Sequence, residues 1–177
     1  RGIQMSELHP SLGGGKAASW EINPSLPNGM FFTNGVISGV PTINMTQSSY
    51  TIWANNTGGS AVNYLNITIN EPTPMFSYPN TNLVFTRSIA INTLYPTLSG
   101  GNAETWQIIP QLPSGLQFSN GAIYGMPQNN MTLTSYTIYA NNTGGSFAVT
   151  VSITVNELPS GFTYQYQSYN FTRSVGI

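Results

Sequence analysis

The chain restarts itself. Arg1 with Ile3 returns as Arg87 with Ile89, and Arg173 opens the same pattern a third time, so the shift is 86 residues on each occasion (87 − 1 and 173 − 87) and needs no gap. About half of the positions in the first two copies are identical, and the run 50–60 (YTIWANNTGGS) recurs as 136–146 (YTIYANNTGGS). A fixed period of this kind means successive copies of one structural unit. A unit of this size suits one small domain.

The segments within a unit read as strands. In the second copy Phe147, Val149, Val151, Ile153 and Val155 alternate strictly with Ala148, Thr150, Ser152 and Thr154. That period of two places the first set on one face of a strand and the second set on the other. Ala61, Asn63, Leu65, Ile67 and Ile69 keep the same phase, and ahead of the later strand Tyr136, Ile138 and Ala140 point inward. Asn141, Asn142, Thr143, Gly144 and Gly145 join the two strands, and glycines there suit a hairpin. Trp106 to Ile109 is a short strand closed by Pro110, and Gly115, Gly121 and Gly125 punctuate further short pieces. No helical period of useful length is present. Short strands with frequent turns imply an all-β fold built of antiparallel sandwiches.

Charge excludes more than it suggests. Only Glu7, Glu21, Glu71, Glu104, Glu157, Arg1, Lys16, Arg87 and Arg173 are charged, with one histidine (His9), no Asp and no Cys. A zinc site needs His, Cys or carboxylate ligands that converge. A nucleophile–histidine–acid arrangement would have to use His9, whose equivalent in the second copy is Tyr95. An enzyme, a metal site and a cofactor are therefore not expected. Four dispersed cations cannot form the basic stripe that nucleic acid requires, and no apolar run approaches the roughly 18 residues of a membrane span. The absence of a basic-plus-apolar leader and the start at Arg1 suggest a processed chain or a segment of something longer.

Composition breaks at Glu71–Pro74 and Glu157–Gly161 mark linkers. Three parts follow: residues 1–71, a sandwich lacking its first strand; residues 72–157, a complete sandwich; and residues 158–177, a linker with an orphan first strand. The strings LPNGM…F…GVISGVP in residues 26–41 and LPSGL…F…GAIYGMP in residues 112–127 resemble the immunoglobulin-like repeat of the He-PIG type, found in tandem in surface and secreted proteins of bacteria and archaea. The layout is similar to cadherin-like repeats. The resemblance implies tandem immunoglobulin-like antiparallel β-sandwiches at the cell surface, with a part in adhesion, spacing or filament building and no catalytic site. Calcium-binding repeats of that layout carry clusters of acids at their junctions, and calcium takes six to eight oxygens. Each junction here has one acid, Glu71 or Glu157, better suited to an ion pair with Arg87 or Arg173.

Six Asn-x-Ser/Thr triplets, at Asn44, Asn55, Asn66, Asn130, Asn141 and Asn170, are candidates for N-glycosylation, which needs a surface position. Trp53 and Tyr139 fall on the outward phase of their strand. They are either covered by a neighbouring loop or domain, or form a patch for protein or carbohydrate. Trp20 and Trp106 read as core.

The two ends of the chain fall at nearly the same point of the repeat. Phe162, Tyr164, Tyr169 and Phe171 match Phe76, Tyr78, Leu83 and Phe85. Four such side chains, at about 1.5–3 kcal/mol each, are worth roughly 6–12 kcal/mol when buried, comparable with the about 5–15 kcal/mol stability of a domain. Two explanations are open: the sequence is a fragment of a longer repeat chain, or residues 161–177 of one molecule complete residues 1–71 of the next, head to tail. The partner is thus the chain itself or adjacent repeats of a longer chain.

Overall fold

A computed structural model describes residues 2–159, 161–165, 168, 170, 171 and 173. The first repeat contains β1 (Ser19–Asn23), β2 (Met30–Thr33), β3 (Val36–Gly39), β4 (Met45–Asn56) and β5 (Gly59–Ile69). The second contains β6 (Pro74–Ser77), β7 (Asn82–Thr86), β8 (Ile91–Leu94), β9 (Thr97–Gly100), β10 (Thr105–Ile109), β11 (Leu116–Ser119), β12 (Ala122–Gly125), β13 (Met131–Asn142) and β14 (Gly145–Asn156). No helix occurs among the described residues, so none there is long and apolar enough to cross a membrane.

In the second repeat one sheet has the order β10-β13-β14-β7, a second has β11-β12-β8, and β6 pairs with β9. The long β13–β14 hairpin sets the frame. Its partners run from Met131↔Val155 to Asn142↔Gly145 around the two-residue turn Thr143–Gly144, and the alternation read from sequence puts Val151, Ile153, Val155, Tyr136, Ile138 and Ala140 into the core. The facing sheet contributes Leu116 and Ile123, with Phe118, Ile91 and Leu94 packed alongside. The β11–β12 hairpin turns on Asn120 and Gly121, at φ of 48° and 81°. Two left-handed residues in a row make the mirror-image turn whose twist matches flanking strands. Asn34 and Gly35 do the same between β2 and β3, at 50° and 82°.

The opening segment of the unit is not one strand, as the sequence suggested, but two with different partners. β6 runs antiparallel to β9, whereas β7 runs parallel to β14, from Ser152↔Asn82 to Asn156↔Thr86. Between them Pro79 has no N–H to give a ladder, and the Asn80 side-chain oxygen accepts the Asn82 N–H at 2.9 Å, a local turn that redirects the chain. One extended stretch thereby crosses from one sheet to the other and closes the sandwich. Phe76, Tyr78 and Leu83 from this segment are buried.

The first repeat reproduces the frame. β4 pairs with β5 in the register of β13–β14, β1 lies beside β4, and Leu8 bridges Ile37 as Leu94 pairs with Ile123. Its buried cluster is smaller, namely Met30, Ile37 and Ile69, with Ile22, Ile52, Leu65 and Ile67 partly covered. Among the described residues no strand lies on the free side of β5, where β7 would stand in the second repeat.

Candidate docking groove

The region of the first repeat that corresponds to the seat of β6 is a groove of about 300 Å³. Trp20, Gly35, Ile37, Ile52, Ala61 and Leu65 line it together with the segment from Leu8 to Leu12. In the second repeat the residues matching Trp20, Gly35 and Ala61 are Trp106, Gly121 and Phe147. There the Phe76 ring packs edge-on against Trp106 at 4.8 Å between centroids and against Phe147 at 5.7 Å. Tyr78 lies beside Phe76 and donates its hydroxyl to the Gly121 carbonyl. Burial raises the Tyr78 pKa far above its usual value. Gly121 is required here, since a methyl on it would stand 2.8 Å from Pro96 and 2.9 Å from Trp106.

The same residue types at the 86-residue offset have different surroundings. Phe76 is 4% exposed and Tyr78 7%, whereas Phe162 is 82% and Tyr164 73% exposed. Their rings touch each other edge-on at 6.0 Å. Phe171 is 88% exposed, while its match Phe85 packs on the core of the second repeat. Tyr169 lies outside the described residues. On the acceptor side Met30, Ile37, Tyr50 and Ile69 are as buried as Leu116, Ile123, Tyr136 and Val155. Ile52, Ala54 and Leu65 are only half-buried, while Ile138, Ala140 and Val151 are fully buried. The difference falls on residues that line the groove.

The linker between the repeats is clamped onto the second one. Asn142 Nδ2 donates to the Pro72 carbonyl at 2.7 Å and to the Asn102 carbonyl at 2.9 Å. The Glu71 N–H donates to Thr143 Oγ1 at 3.1 Å, Thr73 Oγ1 to the Gly144 carbonyl at 3.0 Å, and the Gly101 N–H to the Thr73 carbonyl at 3.1 Å. At the far end Arg87 and Glu157 form an ion pair at 2.6 Å with both side chains nearly half exposed.

The remaining candidate positions are dispersed. Trp53 on β4 and Tyr139 on β13 are both half-buried and belong to different sheets. Trp53 pairs with Val62 across β5, next to Tyr64, which is 75% exposed. Tyr64 extends this outward aromatic surface and escaped the sequence reading, although its phase marks it as outward. Of the six sequon asparagines, Asn44, Asn66, Asn130 and Asn170 are exposed and Asn55 and Asn141 half-buried. Asn55 Nδ2 donates to Glu21 at 3.0 Å, and Asn66 Oδ1 accepts from Ser49 at 2.7 Å. His9 contacts Glu7 at 3.2 Å with both side chains exposed, a solvated pair rather than an oriented catalytic one. No cluster of metal-ligating side chains exists among the described residues.

No known family matches the sequence, and no curated protein is similar to it by sequence. Solved structures are similar in fold. Drosophila OTK, extracellular domains 3–5, matches with a TM-score of 0.50 at 17% identity over 77% of this chain and 50% of that one. The N-terminal eight Ig domains of Down Syndrome Cell Adhesion Molecule match with a TM-score of 0.50 at 13% identity over 86% of this chain and 22% of that one. The chain thus spans half or less of these neighbours. Its strand order, two-layer core and these likenesses agree on one architecture: the chain folds as tandem immunoglobulin-like β-sandwiches.

Proposed function

We propose that this chain is an extracellular structural repeat protein, a subunit of a surface filament, adhesin or spacer of the prokaryotic type. Residues 1–71 form an open sandwich, 72–157 a closed one, and 158–177 a linker with a donor segment. The donor of one molecule completes the open sandwich of the next, head to tail. The observation that carries this reading is the matched pair of environments: the groove holds Trp20 and Gly35, the counterparts of the Trp106 and Gly121 that Phe76 and Tyr78 cover in the second repeat, while Phe162 and Tyr164 stand exposed at the same phase. Transferring the register of β7 and β14 by 86 residues sets Ser168, Tyr169, Asn170 and Phe171 against Asn66, Ile67, Thr68 and Ile69. Asn170 then points outward as Val84 does, which suits a glycan. Main-chain pairing supplies affinity and the alternate side chains supply specificity in strand addition of this kind.

The test is assembly of the purified chain, read by light scattering and electron microscopy over a concentration series. Removal of residues 161–177 is expected to leave monomers. An unchanged size distribution after that removal overturns the reading. A second reading, a carbohydrate- or protein-binding module, draws on the outward surface of Trp53, Val62 and Tyr64. It requires binding of a glycan or protein that Trp53→Ala abolishes while assembly is unaffected.

A further inference from the structure

The clamp that grips the linker on the second repeat is already built on the first. Subtracting 86 from Asn142, Thr143, Gly144 and Gly101 gives Asn56, Thr57, Gly58 and Gly15. Asn56 Nδ2 donates to the Lys16 carbonyl at 3.1 Å, as Asn142 does to Asn102 at 2.9 Å. The Gly58 N–H donates to Asn56 Oδ1 at 2.8 Å, and Gly144 to Asn142 Oδ1 at the same 2.8 Å. One hydrogen of the Asn142 amide goes to Pro72 of the linker, and its counterpart on Asn56 faces no second acceptor among the described residues. An open recess of about 400 Å³ lies here, lined by Gly13, Gly15, Asn56, Gly58 and Gly59 among others.

Two glycines give an independent sign of what the recess receives. A methyl at Gly144 would overlap the Glu71 carbonyl, and one at Gly101 the Pro72 carbonyl, so the linker presses directly on both. Gly58 and Gly15 are far less constrained in their own surroundings: a methyl would be a tight 3.2 Å from Asn56 Oδ1 and 3.4 Å from Asn56 Nδ2, respectively, both atoms of one exposed side chain and neither of them backbone. Neither sits at a positive φ that would demand glycine. Among the described residues of the first repeat no backbone lies close enough to exclude a side chain at these two positions, whereas a chain passing over them would exclude one.

We infer that Glu157, Leu158 and Pro159 of a neighbouring molecule seat in this recess, so that the joint between molecules reproduces the joint within one. This rests on the head-to-tail reading above and adds a second, separate contact to it. The Glu157 N–H donates to Thr57 Oγ1, Asn56 Nδ2 to the Leu158 carbonyl, and the Gly15 N–H to the Pro159 carbonyl. All three use backbone groups of the incoming segment, so the replacement of Pro72 by Leu158 and Thr73 by Pro159 leaves them available. The hydroxyl bond that Thr73 makes to Gly144 has no counterpart, because Pro159 has no hydroxyl.

The experiment is Gly15→Ala and Gly58→Ala, made separately in the full chain, with melting curves and assembly measured beside the chain lacking residues 161–177. The expected result is an unchanged melting curve with association weakened by about tenfold or more, the scale of one to two lost hydrogen bonds. If both variants assemble as the parent does while the truncated chain stays monomeric, the clamp inference is overturned and the head-to-tail reading stands. If the truncated chain assembles normally, both fall. Should either alanine disturb the first sandwich, Thr57→Val decides, made in unglycosylated protein because it also ends the Asn55 sequon: it preserves backbone and side-chain size, removes the hydroxyl that accepts Glu157, and must weaken assembly severalfold.

Discussion

Phe76 and Phe162 are the same residue at the same point of the repeat, and their replacement by alanine should have opposite consequences. Phe76 is 4% exposed and wedged against Trp106 and Phe147. Deleting a buried phenylalanine costs about 3–5 kcal/mol through lost transfer energy and the cavity left behind. For a domain of this size about 1 kcal/mol moves the melting temperature by about 4–8 °C, so F76A should lower the melting temperature of the second sandwich by tens of degrees. Phe162 is 82% exposed, and F162A should leave every melting transition of the monomer in place. On the head-to-tail proposal its effect should fall on assembly. Docking into the groove would cover nearly four fifths of a side chain that offers about 150–250 Å², worth about 3–5 kcal/mol at about 25 cal/mol per Å². Ordering the ring offsets about 0.5–1.5 kcal/mol of that. The remainder, about 2–4 kcal/mol, corresponds to association weaker by a factor of about 30 to 1,000. Sedimentation velocity over a dilution series reads this directly. F162A chains that assemble at the parental concentration would refute the reasoning, and so would an F162A monomer that melts earlier.

Burial raises the Tyr78 pKa above its usual 10.0 and raises that of Tyr136 in the same sandwich, so the stability both contribute is fully present below about pH 10 and is lost as pH rises further. Tyr78→Phe should flatten that alkaline slope and cost about 1–3 kcal/mol at neutral pH, the penalty for leaving the Gly121 carbonyl unpaired, both read by denaturant melts across pH. Glu157→Gln breaks an ion pair that is nearly half exposed and should change stability by no more than about 1 kcal/mol. Where the chain is glycosylated, peptide mapping should find Asn44, Asn66, Asn130 and Asn170 occupied ahead of Asn55 and Asn141, which are half-buried. Ala61→Phe should tighten assembly about two- to tenfold, because it restores the aromatic wall that Phe147 gives Phe76, and such a pair is worth about 0.5–1.5 kcal/mol.

The sandwich and its strand phase were legible because the repeat supplies the same alternation twice. Tyr136, Ile138, Val151, Ile153 and Val155 are buried, as period two requires. The turns at Asn34 and Asn120 are local signals of the same kind, because Asn-Gly between apolar runs favours two left-handed residues, although Gly121 on its own reads only as punctuation. The split of the opening segment was less legible. Phe76, Tyr78, Leu83 and Phe85 all read as one apolar run, and only the change of sheet shows that Pro79 and Asn80 divide it. The parallel pairing of β7 with β14 joins residues about seventy apart, beyond any local pattern. The clamp was invisible for a related reason: Asn142, Thr143 and Gly144 look like an ordinary hairpin turn until the linker is seen lying across them.

In the proposed assembly the joint between molecules would share the plan of the joint within one but differ in strength, and the differences all point one way. Within a molecule Phe76 has two aromatic neighbours, Trp106 and Phe147. Between molecules Phe162 would meet Trp20 and, in place of the second ring, Ala61. Within a molecule Thr73 adds a hydroxyl bond to Gly144, and Pro159 cannot. One aromatic pair at about 0.5–1.5 kcal/mol and one hydrogen bond at about 0.5–1.5 kcal/mol make the outer joint weaker by about 1–3 kcal/mol. Covalent continuity separates them further, because a linker that comes loose within a molecule is returned at high effective concentration, whereas one between molecules is diluted. If molecules join in the proposed way, a load should part the filament between molecules before it opens the second sandwich, and single-molecule stretching that instead opens the second sandwich first would refute this ordering.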